Sequence, residues 1–298
     1  MAPQLETSPP HLHGAAAGDA GRPACADWTI DQDWQRYTPQ QHATWRTLFQ
    51  RQSALLPGRA CDAFVAGMQA LPIGAEQIPD FEQLSEVLMR HTGWQVVAVP
   101  GLVPDEVFFD HLAHRRFPAG QFIRSPQQLD YLEEPDVFHD VFGHVPMLMN
   151  PVIADFVQAY GLGGLRARQL CVLPQLARVY WYTVEFGLVR EHGGLRIYGS
   201  GIASSYAESV FALDDASPNR IGFQLERVMR TRYRIDDFQE SYFVLDRLED
   251  LLALAKIDFG PLYAQIAGKP EYEPGELVAG DTVLTRGTGS YHARRRRG

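Results

Sequence analysis

The sequence predicts a mainly α fold, α+β only through a few minor short strands, organised as a single domain. Long segments carry apolar residues at helical spacing between recognisable caps, and only two short runs have strand character. The length, 298 residues without an internal linker, suits one large domain with a substantial core.

Residues 1–26 are rich in Pro, Gly and Ala and poor in large apolar side chains, so a flexible tail is expected there. The domain proper is expected over 27–275. TPQQHATWRTLFQRQSALLP opens on Thr38-Pro39, an N-cap with proline at the first helical position. It carries Trp45, Leu48, Phe49 and Leu55 at helical spacing and stops at Pro57-Gly58. DFEQLSEVLMRHTGW repeats the pattern with Leu84, Val87 and Leu88, and EVFFDHLAHRRFP predicts a helix ending at Pro118. His111 and His114, beside Arg115 and Arg116, read as part of a solvated face. LARVYWYTVEFGLVR predicts a helix over 176–190 ended by Gly193-Gly194. PNRIGFQLERVMRT and QESYFVLDRLEDLLALAKID continue in helical style. The strand candidates are WQVVAVP at 94–100 and GLRIYGS at 194–200. From 276 onward the chain reads as a loosely ordered C-terminal tail, with Arg294 to Arg297 a solvated basic run.

Composition narrows the function classes. A net charge of −9 argues against nucleic acid as a partner, because phosphate binding needs clustered cations. Cys25, Cys61 and Cys171 are odd in number and lack metal-type spacing, which favours free thiols in a reducing compartment. No apolar run approaches the roughly 18 residues of a membrane span. The N-terminus lacks the basic start and apolar core of a secretory signal, so a cytoplasmic location is expected.

The chemistry concentrates in EEPDVFHDVFGHVPML, residues 133–148, where His139 and His144 sit among Val137, Phe138, Val141 and Phe142. In a regular helix, side chains five apart point about 140° away from each other. Gly143 and Pro146 therefore predict a helix from about Pro135-Asp136 to Phe142-Gly143, with His144 on its exit and able to turn toward His139. Glu185 falls on a stripe with Trp181, Tyr182, Leu188 and Val189, and a lone carboxylate there would cost several kcal/mol without a cation. Arg178 could supply the charge, or a metal shared with both histidines could. Two His and one carboxylate suit non-haem Fe(II) with open positions, and zinc accepts the same set. Two satisfied core histidines are the alternative to either metal.

The run PDVFHDVFGHVPML, followed by YWYTVEFGL and YGSGIASSYAES, resembles the pterin-dependent aromatic amino acid hydroxylases, most closely their short bacterial phenylalanine-hydroxylating members. The likeness covers roughly residues 30–270. It implies a mainly helical catalytic domain holding Fe(II) through His139, His144 and Glu185, with tetrahydropterin and O2 as co-substrates. It places Arg124 on the substrate carboxylate, Trp181 on the ring pocket and Ser204 on the substrate loop. Phe108 would stack on the pterin, with Val103, Tyr180 and Asp140 nearby. Taken singly, Arg124 reads as a surface salt bridge, and Trp181 and Phe108 as core packing.

The resemblance further implies L-phenylalanine 4-monooxygenation to L-tyrosine, with tryptophan or tyrosine as the alternative substrate within the family and a zinc hydrolase as a remoter one. Ile235 stands where tyrosine hydroxylases carry an acid, which favours an unsubstituted ring. Two positions depart from the animal pattern: Asp140 replaces a glutamate, and Leu132 replaces a substrate-contacting threonine. The polar tail shows no heptad repeat, so a monomer is expected.

Overall fold

Thr38 opens the first long helix, α1 (Pro39–Leu55), with a capping box. Its hydroxyl accepts from the Gln41 N–H at 3.3 Å, and the Gln41 side chain accepts from the Thr38 N–H at 2.8 Å. The computed structural model describes residues 25, 27–130 and 134–296. The tail expected at 1–26 therefore lies, apart from Cys25 and part of its boundary, outside the described residues, as does Leu132.

The chain continues through α2 (Asp62–Ala70), α3 (Phe81–His91) and β1 (Gln95–Val99) to α4 (Asp105–Ala113). The expected helix up to Pro118 ends earlier, and Arg116–Gly120 forms β2, parallel to β1. A proline is tolerated in β2 because a two-stranded sheet leaves each strand an open edge. His111 is fully buried and bonds the Asp27 carbonyl through Nε2 at 2.8 Å, so only His114 is on the solvated face expected for both.

Next come α5 (Pro151–Gln169) and α6 (Leu173–Tyr180), and then a hairpin of β3 (Leu188–Glu191) and β4 (Gly194–Ile197). The helix expected over 176–190 is thus cut short at Glu185, and Gly193-Gly194 serve the hairpin turn. Helices α7 (Ser200–Ala203) and α8 (Tyr206–Asp214) follow. The two segments expected to be wholly helical each begin with a strand, β5 (Asn219–Gly222) before α9 (Leu225–Met229) and β6 (Ser241–Leu245) before α10 (Asp250–Ala255). The five residues of β6 are all buried, and the strand lies parallel between β3 and β5. A short apolar run buried on both faces has no period that separates strand from helix; only its neighbours decide.

Beyond α11 (Phe259–Ile266), the supposedly loose C-terminal stretch is packed. β7 (Val283–Thr285) pairs antiparallel with β5, giving a sheet of order β4-β3-β6-β5-β7. α12 (Ser290–Arg295) buries His292 and sets Tyr291 against Phe211, ring centroids 5.2 Å apart. No described helix is long and apolar enough to cross a membrane. The fold remains mainly helical with short strands, as expected.

Candidate metal centre and adjoining cavity

Between β2 and α5, Phe138–His144 forms a π-helical turn, and a second, Trp181–Glu185, continues α6. A ladder that closes on residue i+5 brings side chains five apart onto one face. That explains the spacing of His139 and His144 better than the helix break expected from Gly143 and Pro146. His144 belongs to the turn rather than to its exit, and Gly143 matters for contact. A Cβ there would lie 2.9 Å from the Ser200 carbonyl oxygen, so the glycine lets α7 approach the first turn. Around the histidines, Phe138 and Phe142 stack at 4.8 Å and Trp45 meets Phe138 edge-on at 5.3 Å. Each buried ring contributes about 1.5–3 kcal/mol relative to exposure, which holds the turn rigidly.

The two turns bring the three sequence-predicted ligands together. His139 Nε2 and His144 Nε2 are 3.3 Å apart, and they lie 3.6 and 3.2 Å from the two Glu185 oxygens. Donors about 2.1 Å from one ion are roughly 3.0–3.4 Å apart in octahedral or tetrahedral arrangements. Two of the three separations fall in that range and the third is slightly wider, so the donor set fits a single metal. Arg178, the other candidate cation, commits its guanidinium to Glu271 at 2.7 Å and to the Met229 carbonyl at 3.0 Å. Among the described residues one other group of three possible ligands comes together, Asp62, Glu191 and His192, but it is exposed and Asp62 and His192 pair with each other at 2.8 Å.

The neighbours prepare the ligands. Ser204 Oγ donates to the Ser200 carbonyl at 2.8 Å, so at 2.9 Å it accepts from His139 Nδ1–H. That hydrogen bond fixes the tautomer and leaves the Nε2 lone pair facing His144 and Glu185. Ser204, expected on the substrate, thus touches a candidate ligand. Burial, opposed by the nearby Glu185, pushes the His139 pKa down to about 4 and keeps the ring neutral. Ser200 Oγ is 3.0 Å from Glu185 Oε2.

A cavity of about 690 Å³ opens beside the triad and is lined by Arg124, His139, Trp181, Glu185, Ser204 and Ile235 among others. Arg124 is held rigidly: its Nε and Nη2 donate to the two oxygens of Asp136, each at 2.8 Å. Asp136 is fully buried and also accepts from the His139 N–H at 3.0 Å, which ties the cavity's arginine to the start of the metal turn. Burial raises the Asp136 carboxyl, and the Arg124 guanidinium outweighs it to leave a net lowering. Sequence reasoning missed Asp136 as a partner; an aspartate following proline at the entry to an apolar turn was the available signal. Trp181 stacks on Tyr233 at 4.2 Å and donates Nε1–H to Gln239 Oε1 at 2.9 Å.

On the other side of His144, Val103, Phe108, Asp140 and Tyr180 line a second, narrow cleft of about 30 Å³. All four residues expected around a pterin meet there, although a bicyclic ring needs these side chains to move apart. Asp140 accepts from the Gly120 N–H at 2.8 Å, while burial raises its carboxyl to about 7.

Glu208, at the cavity wall, was also missed. It bonds the Tyr242 hydroxyl, and burial raises it to about 7 against an ordinary 4.5. A folded pKa above the unfolded one favours the fold with the carboxyl protonated. That contribution is intact below pH 4.5 and is lost as pH rises through 7. Glu208→Gln should therefore gain thermal stability over the parent protein as pH goes from about 5 to about 8, and parallel melting curves would contradict this.

A family model of biopterin-dependent aromatic amino acid hydroxylases matches residues 33–258. The phenylalanine-4-hydroxylase of Caulobacter vibrioides is 63% identical over 265 residues, 89% of this chain and 90% of the relative. That of Ralstonia nicotianae is 60% identical over 92% of this chain and 87% of its own. Among solved structures, the cobalt-bound phenylalanine hydroxylase of Chromobacterium violaceum superposes with a TM-score of 0.86 at 56% identity, covering 89% of this chain and 96% of the other. The form of that protein with iron and phenylalanine bound gives 0.83 at 55% identity, over 87% and 95%.

Proposed function

The chain belongs to the biopterin-dependent aromatic amino acid hydroxylases, and from that membership we propose that it is a phenylalanine 4-monooxygenase, converting L-phenylalanine to L-tyrosine. The observation that carries this reading is the convergence of His139 Nε2, His144 Nε2 and Glu185 beside a cavity sized for an amino acid. Non-haem Fe(II), with tetrahydropterin as electron donor, supplies the activation of O2 that ring hydroxylation requires.

His139, His144 and Glu185 hold that iron in this proposal. Two neutral imidazoles and one carboxylate would leave a bound Fe(II) a net positive charge. Arg124 binds the substrate carboxylate. Asp136 takes one N–H from Nε and one from Nη2, leaving three guanidinium hydrogens for the amino acid. Trp181, fixed between Tyr233 and Gln239, walls the ring pocket, and Ile235 presents an aliphatic surface that favours an unsubstituted phenyl ring. Val103, Phe108, Tyr180 and Asp140 receive the pterin, with Phe108 as its stacking partner. The three free thiols support a cytoplasmic location, and we read the protein as a monomer without nucleic acid partners.

Incubation of Fe(II)-loaded protein with tetrahydropterin, O2 and each aromatic amino acid in turn tests the reading. Tyrosine accumulates from phenylalanine at a higher kcat/KM than any product from tryptophan or tyrosine. No tyrosine, or a preference for another ring, would overturn it.

A further inference from the structure

The C-terminal helix α12 lies beyond the 33–258 family match, yet two of its side chains, Tyr291 and Arg295, line the same cavity as Arg124, Trp181 and Ile235. Their contacts meet on one atom. Asp237 Oδ1 accepts from the Tyr291 hydroxyl at 3.0 Å and from Arg295 Nη1 at 3.0 Å, and Arg295 Nη1 also reaches the Tyr291 oxygen at 2.9 Å. The Asp237 side chain is only 7% exposed although Arg295 is largely solvated, so the carboxylate is covered by the helix rather than by water. Rings reinforce the seat. Phe238 stacks on Phe211 at 4.5 Å, and Tyr291 packs against both at 5.2 Å. Arg296 adds an ion pair to Glu240 at 3.0 Å.

Asp237 belongs to the segment 234–239, which does two things at the cavity. It places Ile235 on the wall, and it ends in Gln239, whose amide is oriented by donating Nε2–H to the Arg234 carbonyl at 2.9 Å while Oε1 accepts the Trp181 indole N–H. We propose that α12 is a positioning element of the amino acid pocket: Tyr291 and Arg295, acting through Asp237, hold the 234–239 segment so that Ile235 and the Gln239–Trp181 pair present one fixed surface to the substrate ring. The helix makes no bond to the candidate metal ligands and none to the narrow cleft by His144. Its effect is therefore confined to the amino acid side of the reaction.

The proposal rests on the amino acid hydroxylase reading, and its test separates the two. Tyr291→Phe/Arg295→Met keeps the aromatic packing and removes both donors to Asp237; Tyr291→Phe alone is carried alongside in case the double variant is unstable. Steady-state kinetics on iron-loaded protein, with phenylalanine and tetrahydropterin varied separately, is the readout, with tryptophan as the competing ring. The double variant should raise KM for phenylalanine roughly ten-fold and the single variant less. kcat should stay within about two-fold and KM for the pterin should be unchanged. Discrimination between phenylalanine and tryptophan should fall, because the wall carrying Ile235 is loosened. A parent enzyme that makes tyrosine, with variants showing unchanged KM and discrimination, overturns the proposal while leaving the reading intact. Equal losses in kcat and in both KM values, following a lower melting temperature, overturn it as well, since they mark a purely structural helix. If the parent enzyme makes no tyrosine, calorimetric affinity for phenylalanine replaces KM: weaker binding by the variants supports the proposal, and equal binding overturns it.

Discussion

Glu185→Ala abolishes iron binding and tyrosine formation while the apoprotein stays folded. Glu185 is the one anionic donor in the triad, lying 3.2 and 3.6 Å from the two imidazole nitrogens. Without it, two neutral rings face a divalent ion with no charge to offset its desolvation. The fold has less to lose. In the apoprotein Glu185 is a buried carboxylate, 2% exposed, among aromatic and aliphatic neighbours, and burying a charge is costly. Removing it opens a small void and gives up the Ser200 hydroxyl bond, but it takes away that cost, so the apo melting temperature should stay close to that of the parent protein. Metal titration by calorimetry and a melting curve check both halves; a variant that keeps parental iron affinity contradicts the assignment.

Arg124→Lys raises KM for phenylalanine by roughly 10- to 100-fold, the loss of one or two charge-assisted hydrogen bonds. In the proposed reading the guanidinium would serve two carboxylates at once: it presents one edge to Asp136 through Nε and Nη2 and has its other donors available for the substrate. A lysine ammonium is a point charge that can satisfy either partner, and the fully buried Asp136 competes more strongly. Because Asp136 also accepts the His139 N–H, some of the loss should reach kcat through the start of the metal turn. KM for the pterin should not change, since that cleft lies on the far side of His144. Equal phenylalanine KM values in variant and parent would remove Arg124 from the substrate.

Much of this was legible in the residues. The Thr38-Pro39 start of α1, the apolar stripe of α3 and the β1 strand were all readable because local capping and periodicity act within a few residues. β5 and β6 were not, because their parallel partners are distant in sequence and Ser241–Leu245 is buried on both faces. The packed C-terminus escaped for a similar reason: its anchors, Tyr291 and His292, are two rings in an arginine-rich run, and their partners Phe211 and Phe238 lie far earlier in the chain. The three candidate ligands could be named from chemistry and family likeness, yet the device that unites them could not. π-helical turns carry no simple sequence signature, so a spacing of five pointed to a broken helix instead. Ser204 lines the cavity, and its bond to the imidazole of His139 could not be read from the residues. Asp136 was overlooked because its neighbours spell core.

His139, His144 and Glu185 are proposed to share one iron. Anomalous diffraction from crystals grown with Fe(II) under anaerobic conditions would locate that ion. One strong iron peak is expected within about 2.0–2.3 Å of both Nε2 atoms and a Glu185 carboxylate oxygen. An iron-loaded, active crystal whose peak lies out of reach of any of those three side chains would contradict it.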